Sequence, residues 1–122
     1  MKIPFHRPSF SKKTTEDIES VLSSGWVTTG KKTKLFEEKL SEYLNVQNVV
    51  AVNSCTAALH LGAIISGLKK NDMFIVPTYT FVSSVEIGEY IGATPLLVDI
   101  DLQTMNLDLN HVEDLLKKFG KK

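Results

Sequence analysis

Four small polar residues, Asn53-Ser54-Cys55-Thr56, stand between an apolar run, residues 49–52, and the alanine-rich stretch AALHLGAI at 57–64. A cluster of this kind at a helix start can hold an anion. The first backbone N–H groups of a helix lack internal partners, and the helix dipole places partial positive charge beside them. A phosphate is the natural occupant. Small side chains let it approach the backbone, and the hydroxyls of Ser54 and Thr56 add donors. An ordinary N-cap, with Asn or Ser satisfying the helix and no ligand bound, accounts for the same residues equally well. No GxGxxG or GxxxxGK[ST] pattern decides between the two. A thiol at a helix start is also a candidate nucleophile. No histidine is placed by sequence to act as base for Cys55, so a small residue packed in a turn is the simpler role for it.

A second cluster, Thr78, Tyr79, Thr80 and Phe81, follows the next apolar run. An aromatic ring at a strand exit can stack on a planar ligand. Core packing is the commoner fate of a single Phe, but Thr78, Thr80, Ser83 and Ser84 around the ring suit a ligand pocket better. The third cluster is SGWVTTGKKT, residues 24–33, with the chain's only tryptophan. It could line a substrate site, form a subunit contact, or be a solvated loop with Trp26 as its apolar plug.

The elements that must position these clusters read as α/β. A helix capped by Thr14 or Thr15 and running to about 23 has an apolar stripe of Ile18, Val21 and Leu22, and Gly25 stops it. A second helix, capped by Thr33 and ending near 44, buries Phe36, Leu40, Tyr43 and Leu44, with Asn45 as its stop. Residues 49–52, 73–76 and 95–98 read as three buried strands. Helices at 56–66 and 81–90, ended by Gly67 and Gly92, separate them. That spacing implies parallel strands with right-handed crossovers. A polar connection over 99–108 leads to a last helix at 110–119. Three parallel strands are few, so the sequence reads as the incomplete front part of a larger three-layer domain, with little to cover the sheet edges.

Composition narrows the classes of function. Fourteen basic and fourteen acidic residues balance in 122, with 43% hydrophobic content. Nothing here calls for nucleic acid or an anionic membrane as partner. No apolar run reaches the roughly 18 residues a membrane span needs. A single cysteine forms no internal disulfide, which suits a reducing cytoplasm. The three histidines are too far apart to suggest a metal site.

Taken in order, SGWVTTG (24–30), FEEKLSEYL (36–44), NSCTAALHL (53–61), PTYTFVSS (77–84) and GATPLLVDID (92–101) resemble the sugar aminotransferase family called DegT/DnrJ/EryC1/StrS. The match is collinear over nearly the whole chain. The resemblance implies the large domain of a fold-type I pyridoxal 5'-phosphate transferase. It implies that Ser54, Cys55 and Thr56 hold the cofactor phosphate, the latter two through backbone amides, and that Phe81 stacks on the pyridine ring. Trp26, Thr28, Thr29 and Gly30 would line the substrate side. The substrates implied are glutamate and a nucleotide-linked 3-keto or 4-keto deoxysugar, used in lipopolysaccharide, capsule or protein-glycan synthesis by a cytoplasmic homodimer. Family members are much longer. Their Schiff-base lysine, the acid that pairs with the pyridine nitrogen and the small C-terminal domain match nothing in residues 1–122, so no catalytic residue is assigned and the isolated segment is expected to be inactive. A dehydratase branch of the family is equally compatible. A non-catalytic interaction module and an independent phosphate-binding α/β domain are the other readings of the same residues.

Overall fold

The computed structural model describes residues 2–120. The chain divides into two compact units, Met1–Ala51 and Val52–Lys122.

The first unit contains helices α1 (Lys12–Ser23) and α2 (Lys31–Leu44). α1 starts earlier than the threonines suggest. Ser11 is its N-cap, accepting from the Thr14 amide at 3.2 Å. The Thr14 hydroxyl, read from sequence as the cap, instead bonds Ser11 Oγ at 3.0 Å. α2 likewise starts at Lys31 with Gly30 as N-cap rather than Thr33. Both stops fall where their residue types place them. Gly25 has φ +70° and Asn45 φ +53°, left-handed conformations that glycine and asparagine adopt most readily. Lys32 of α2 and Asp17 of α1 form an ion pair at 2.6 Å, and Glu37 Oε1 accepts the Ala51 amide at 2.8 Å.

The second unit is a parallel β–α–β unit preceded by one helix and followed by another. α3 (Cys55–Ile65) leads through a turn into β1 (Met73–Pro77). α4 (Ser83–Ile91) crosses to β2 (Thr94–Val98), and α5 (Leu109–Phe119) closes the order. β1 and β2 run parallel in the register Met73↔Thr94 to Pro77↔Val98. Val98 is fully buried, and with Val76, Ile87 and Ala93 it makes the core between the sheet and α4. α3 packs along α4, where His60 and Tyr90 meet edge to face at 5.7 Å between ring centroids.

Among the described residues the sheet has two strands, not three. Residues 49–52 join no ladder among the described residues, and Val50 is 76% exposed. A β-branched run favours extended backbone, but a strand exists only through a neighbour's hydrogen bonds, and among the described residues β1 and β2 pair with each other alone. The connection 99–108 is more ordered than its polarity suggests. It doubles back through an antiparallel bridge, Ile100↔Leu107.

Candidate functional site

α3 begins where the small polar cluster predicts, one residue earlier than the expected start at 56. Ser54 is its N-cap in an extended conformation, and its Oγ accepts the Ala57 amide at 3.1 Å. Its carbonyl takes the first helical bond, from the Ala58 amide at 3.1 Å. The amides of Cys55 and Thr56 are left with no hydrogen-bond partner among the described residues. They sit in the first turn of an eleven-residue helix, where the dipole adds partial positive charge. The N-cap reading and the anion reading therefore both have a physical basis here. Ser54 satisfies one amide, and the next two toward the helix start stay free. No partner hydrogen-bonds the Cys55 thiol among the described residues, and the side chain is exposed. The arrangement gives it no base.

The second cluster lies just beyond the carboxyl end of β1. Thr78 extends the ladder by one bond, its amide donating to the Val98 carbonyl at 2.8 Å. The chain then turns away, and α4 starts at Ser83 rather than at Phe81. Phe81 therefore stands in the turn before the helix, 75% exposed, so it does not take the core role common for a single Phe. The turn is held by the Thr80 and Ser84 hydroxyls at 2.9 Å and by the Ser84 amide donating to the Phe81 carbonyl at 3.0 Å. Ser83 is buried beneath.

Chain direction relates the two clusters. α3 hands over to β1 at the amino end of the sheet, and α4 does the same to β2 through Gly92. α4 starts toward the carboxyl edge of the sheet, the side on which open α/β sheets bind ligands, and α3 packs along α4. Asp99 follows β2 on that edge. Its amide donates to His111 Nδ1 of α5 at 3.2 Å and its Oδ1 accepts the Ile100 amide at 2.8 Å. Residue patterns did not reveal this contact, because Asp99 and His111 are twelve positions apart and only the return of α5 brings them together.

Trp26, Thr28, Thr29 and Gly30 belong to the first unit. There they close on one another. The indole Nε1 donates to the Thr29 carbonyl at 2.9 Å. A Cβ on Gly30 would lie 2.6 Å from Trp26 Cδ1 and 2.8 Å from Nε1. Only a residue without a side chain lets the ring lie there. These residues line a cavity of about 600 Å³ between the end of α1 and the start of α2. Lys31, Lys32 and Lys34 line the same cavity and were not singled out from the sequence. The signal available was the run GKKTK immediately after the aromatic loop.

The profile of the DegT/DnrJ/EryC1/StrS aminotransferase family matches residues 8–122. The UDP-4-amino-4-deoxy-L-arabinose–oxoglutarate aminotransferase of Shewanella sediminis is 33% identical over 114 residues, which cover 93% of this chain and 29% of that protein. Among solved structures, a Streptococcus pneumoniae protein assigned as a sugar aminotransferase is 37% identical with a TM-score of 0.84, over 93% of this chain and 29% of its own. It has been solved with pyridoxamine phosphate and with pyridoxal phosphate. The GDP-4-keto-6-deoxy-D-mannose-3-dehydratase of E. coli, with hydrated pyridoxal phosphate bound, is 26% identical with a TM-score of 0.82, over 93% of this chain and 31% of its own. The chain thus spans less than a third of the length of these relatives. On a profile match covering nearly all its residues, with this fold behind it, the chain belongs to the DegT/DnrJ/EryC1/StrS aminotransferase family.

Proposed function

We propose that residues 1–122 are the N-terminal portion of the large domain of a pyridoxal-phosphate-dependent nucleotide-sugar aminotransferase. It would carry an amino group from glutamate to a 3-keto or 4-keto deoxysugar for surface polysaccharide or glycan synthesis, as a cytoplasmic homodimer. One observation carries the reading: the free amides of Cys55 and Thr56 at the start of α3, in a chain whose relatives are solved with this cofactor.

The donor set fits the group. Two amides at a positive helix end suit a phosphate monoester, and the small residues around them leave the backbone approachable. Ser54 fixes the first turn so that these amides point outward together. The exposed Phe81 ring suits the face of a pyridine and shields it from water. When bound, the cofactor supplies an electron-withdrawing ring that stabilises negative charge on the carbon bearing the amino group. The residues of this chain would bind and orient it. Trp26, Thr28, Thr29 and Gly30 would contact substrate. No lysine here is assigned a catalytic role.

A second reading is favoured by the likeness to the E. coli dehydratase. That enzyme branch would use the same cradle and ring for loss of a sugar hydroxyl, so these residues serve either chemistry.

Pyridoxamine phosphate tests the cradle, because it has no aldehyde to react with the chain's lysines. It is expected to bind the 122-residue chain saturably, and Cys55→Pro and Phe81→Ala are each expected to weaken it by about five- to tenfold. Binding that neither substitution alters would overturn the reading. With pyridoxal phosphate, borohydride is expected to leave no single-lysine adduct. One specific adduct accompanied by turnover would show that a lysine of this segment is catalytic.

A further inference from the structure

The two outer edges of the sheet are protected unequally. In a parallel ladder alternate residues turn their amides toward the neighbour, and the others turn them outward. The Thr94 amide donates to the Asp72 carbonyl in β1, so residues 95, 97 and 99 face the outer edge of β2. Pro95 has no amide to offer there, and the Asp99 amide is already bonded to His111 Nδ1. The outer edge of β1 lacks such guards. The Thr78 amide points to Val98, which turns Met73 and Ile75 outward. No charge interrupts Met73–Val76, and proline comes only at the last position of the strand. An uncharged edge of this kind is a template for pairing.

A cavity of about 770 Å³ lies beside that edge. Met73, Phe74 and Ile75 all line it. Successive strand residues point to opposite faces, so the cavity passes around an edge of β1, and β2 fills the other edge. Leu68 at one end and Leu116 and Phe119 of α5 complete its apolar wall.

Charge is sorted along the strand direction. Residues 71–116 contain no lysine or arginine. Lys69 and Lys70 precede β1, and Lys117 and Lys118 stand in the last turn of α5, which the cavity lining places beside Met73. Asp72 and Glu89 are the carboxylates nearest in sequence to this amino end of the sheet. The carboxyl end has Asp99, Asp101 and Asp108 with no basic residue among them. Lys69, Lys70, Lys118 and these three aspartates form no ion pair among the described residues. A sheet that is basic at one end and acidic at the other complements a copy of itself running the opposite way.

We infer that the occupant of this edge is β1 of a second copy, paired antiparallel across a two-fold axis at Ile75. Ile75 then exchanges amide and carbonyl bonds with its counterpart, and each Met73 amide reaches the Pro77 carbonyl of the other copy. Phe74 lies opposite Val76, and the lysine end of each copy meets the aspartate end of the other. The contact is isologous, so it closes at two copies. Neither the cofactor cradle nor the Trp26 loop takes part, and the inference does not depend on the function proposed above.

Sedimentation velocity of the 122-residue chain over a concentration series is the test, with hydrogen exchange read at Met73 and Ile75. The chain is expected to form a reversible dimer that weakens as salt is added. The Met73 and Ile75 amides should be protected only at concentrations where the dimer forms. Met73→Pro removes an outward donor while leaving the β1–β2 ladder its bonds, and should weaken the dimer at least about tenfold. Met73→Leu should leave it within about twofold of the parent. Lys69→Glu/Lys118→Glu should also weaken it and remove most of its salt dependence. Circular dichroism should be unchanged in all three variants. A monomer at every concentration would overturn the inference, as would a dimer indifferent to Met73→Pro. Association that leaves these amides unprotected would place the contact on another surface. Protection of the same amides in a monomer would mean that another part of the chain covers the edge. Either result would also overturn it.

Discussion

The ring of Phe74 in β1 lies so closely over Gly88 in α4 that a Cβ at that position would fall inside its Cε1 and Cζ atoms. Gly88 is buried, and the contact sets how near the helix approaches the sheet. Alanine at an ordinary helix position would raise helix propensity, yet here it must displace a ring. Gly88→Ala is expected to destabilise the second unit by about 1–3 kcal/mol, the usual cost of overpacking. Chemical denaturation measures it. Phe74→Leu in the same background should recover part of the loss, as contacting positions do not add. A neutral Gly88→Ala would show that the ring moves aside freely.

Cys55→Pro removes one of the two free amides without opposing the helix. Proline is favoured at the first helical position, and the extended backbone of Ser54 suits a residue before proline. Thermal stability should therefore hold or rise slightly while pyridoxamine phosphate binding weakens. Cys55→Ala, which retains the amide and removes the thiol, should bind within about twofold of the parent, because the contact is to the backbone. A large loss in the alanine variant would assign the binding to the sulfur.

Ser54→Ala removes the cap to the Ala57 amide and should cost about 1 kcal/mol of stability. Ser54→Asp should restore the cap but weaken anion binding through like-charge repulsion. Recovery of stability together with full binding in the aspartate variant would place the anion elsewhere.

Gly30→Ala should expel the Trp26 indole from its seat, because Cδ1 and Nε1 occupy the space of the new methyl. The bond to the Thr29 carbonyl would break with it. A shift of the tryptophan emission maximum and loss of near-ultraviolet circular dichroism are the expected signals. An unchanged spectrum would mean the indole never rested there.

Asp101 organises the turn between β2 and α5. Its Oδ1 accepts the Thr104 amide at 2.8 Å and the Gln103 amide at 3.0 Å. The Thr104 hydrogen bonds foremost, and that from Gln103, hold its carboxyl below the usual aspartate value. A carboxylate with a depressed folded pKa stabilises the turn above its unfolded pKa, and that stabilisation is lost as pH falls through the folded value. The Gln103 and Thr104 amide resonances should therefore stay native-like at and above the ordinary aspartate range. They should move only at more acid pH. Asp101→Asn should abolish that titration. Movement centred on the ordinary aspartate value would contradict the bonding.

Helix stops were easier to read than helix starts. Gly25, Asn45, Gly67 and Gly92 all adopt the left-handed backbone that ends a helix, a preference intrinsic to those residues. Starts were less legible. Ser11 competes with Thr14 for the same cap, and α2 starts on Gly30, which has no side chain to signal it. At Phe81, rich in apolar neighbours, the pattern extends the helix too far. The hydroxyls of Thr80 and Ser84 close a turn there instead.

The sequence by itself determined the α/β order, the parallel sense of the paired strands, the polar start of α3 and the resemblance on which family membership was first read. These depend on residue type and on spacing over a few positions, which the local backbone obeys wherever the chain lies. Tertiary structure alone decided that residues 49–52 remain unpaired, that His111 meets Asp99, that Phe81 stays in the open, and that three lysines face one cavity without a carboxylate. Ladder bonds, ring contacts and cavity walls need partners from other elements, and the period of a side-chain pattern does not say which element will arrive.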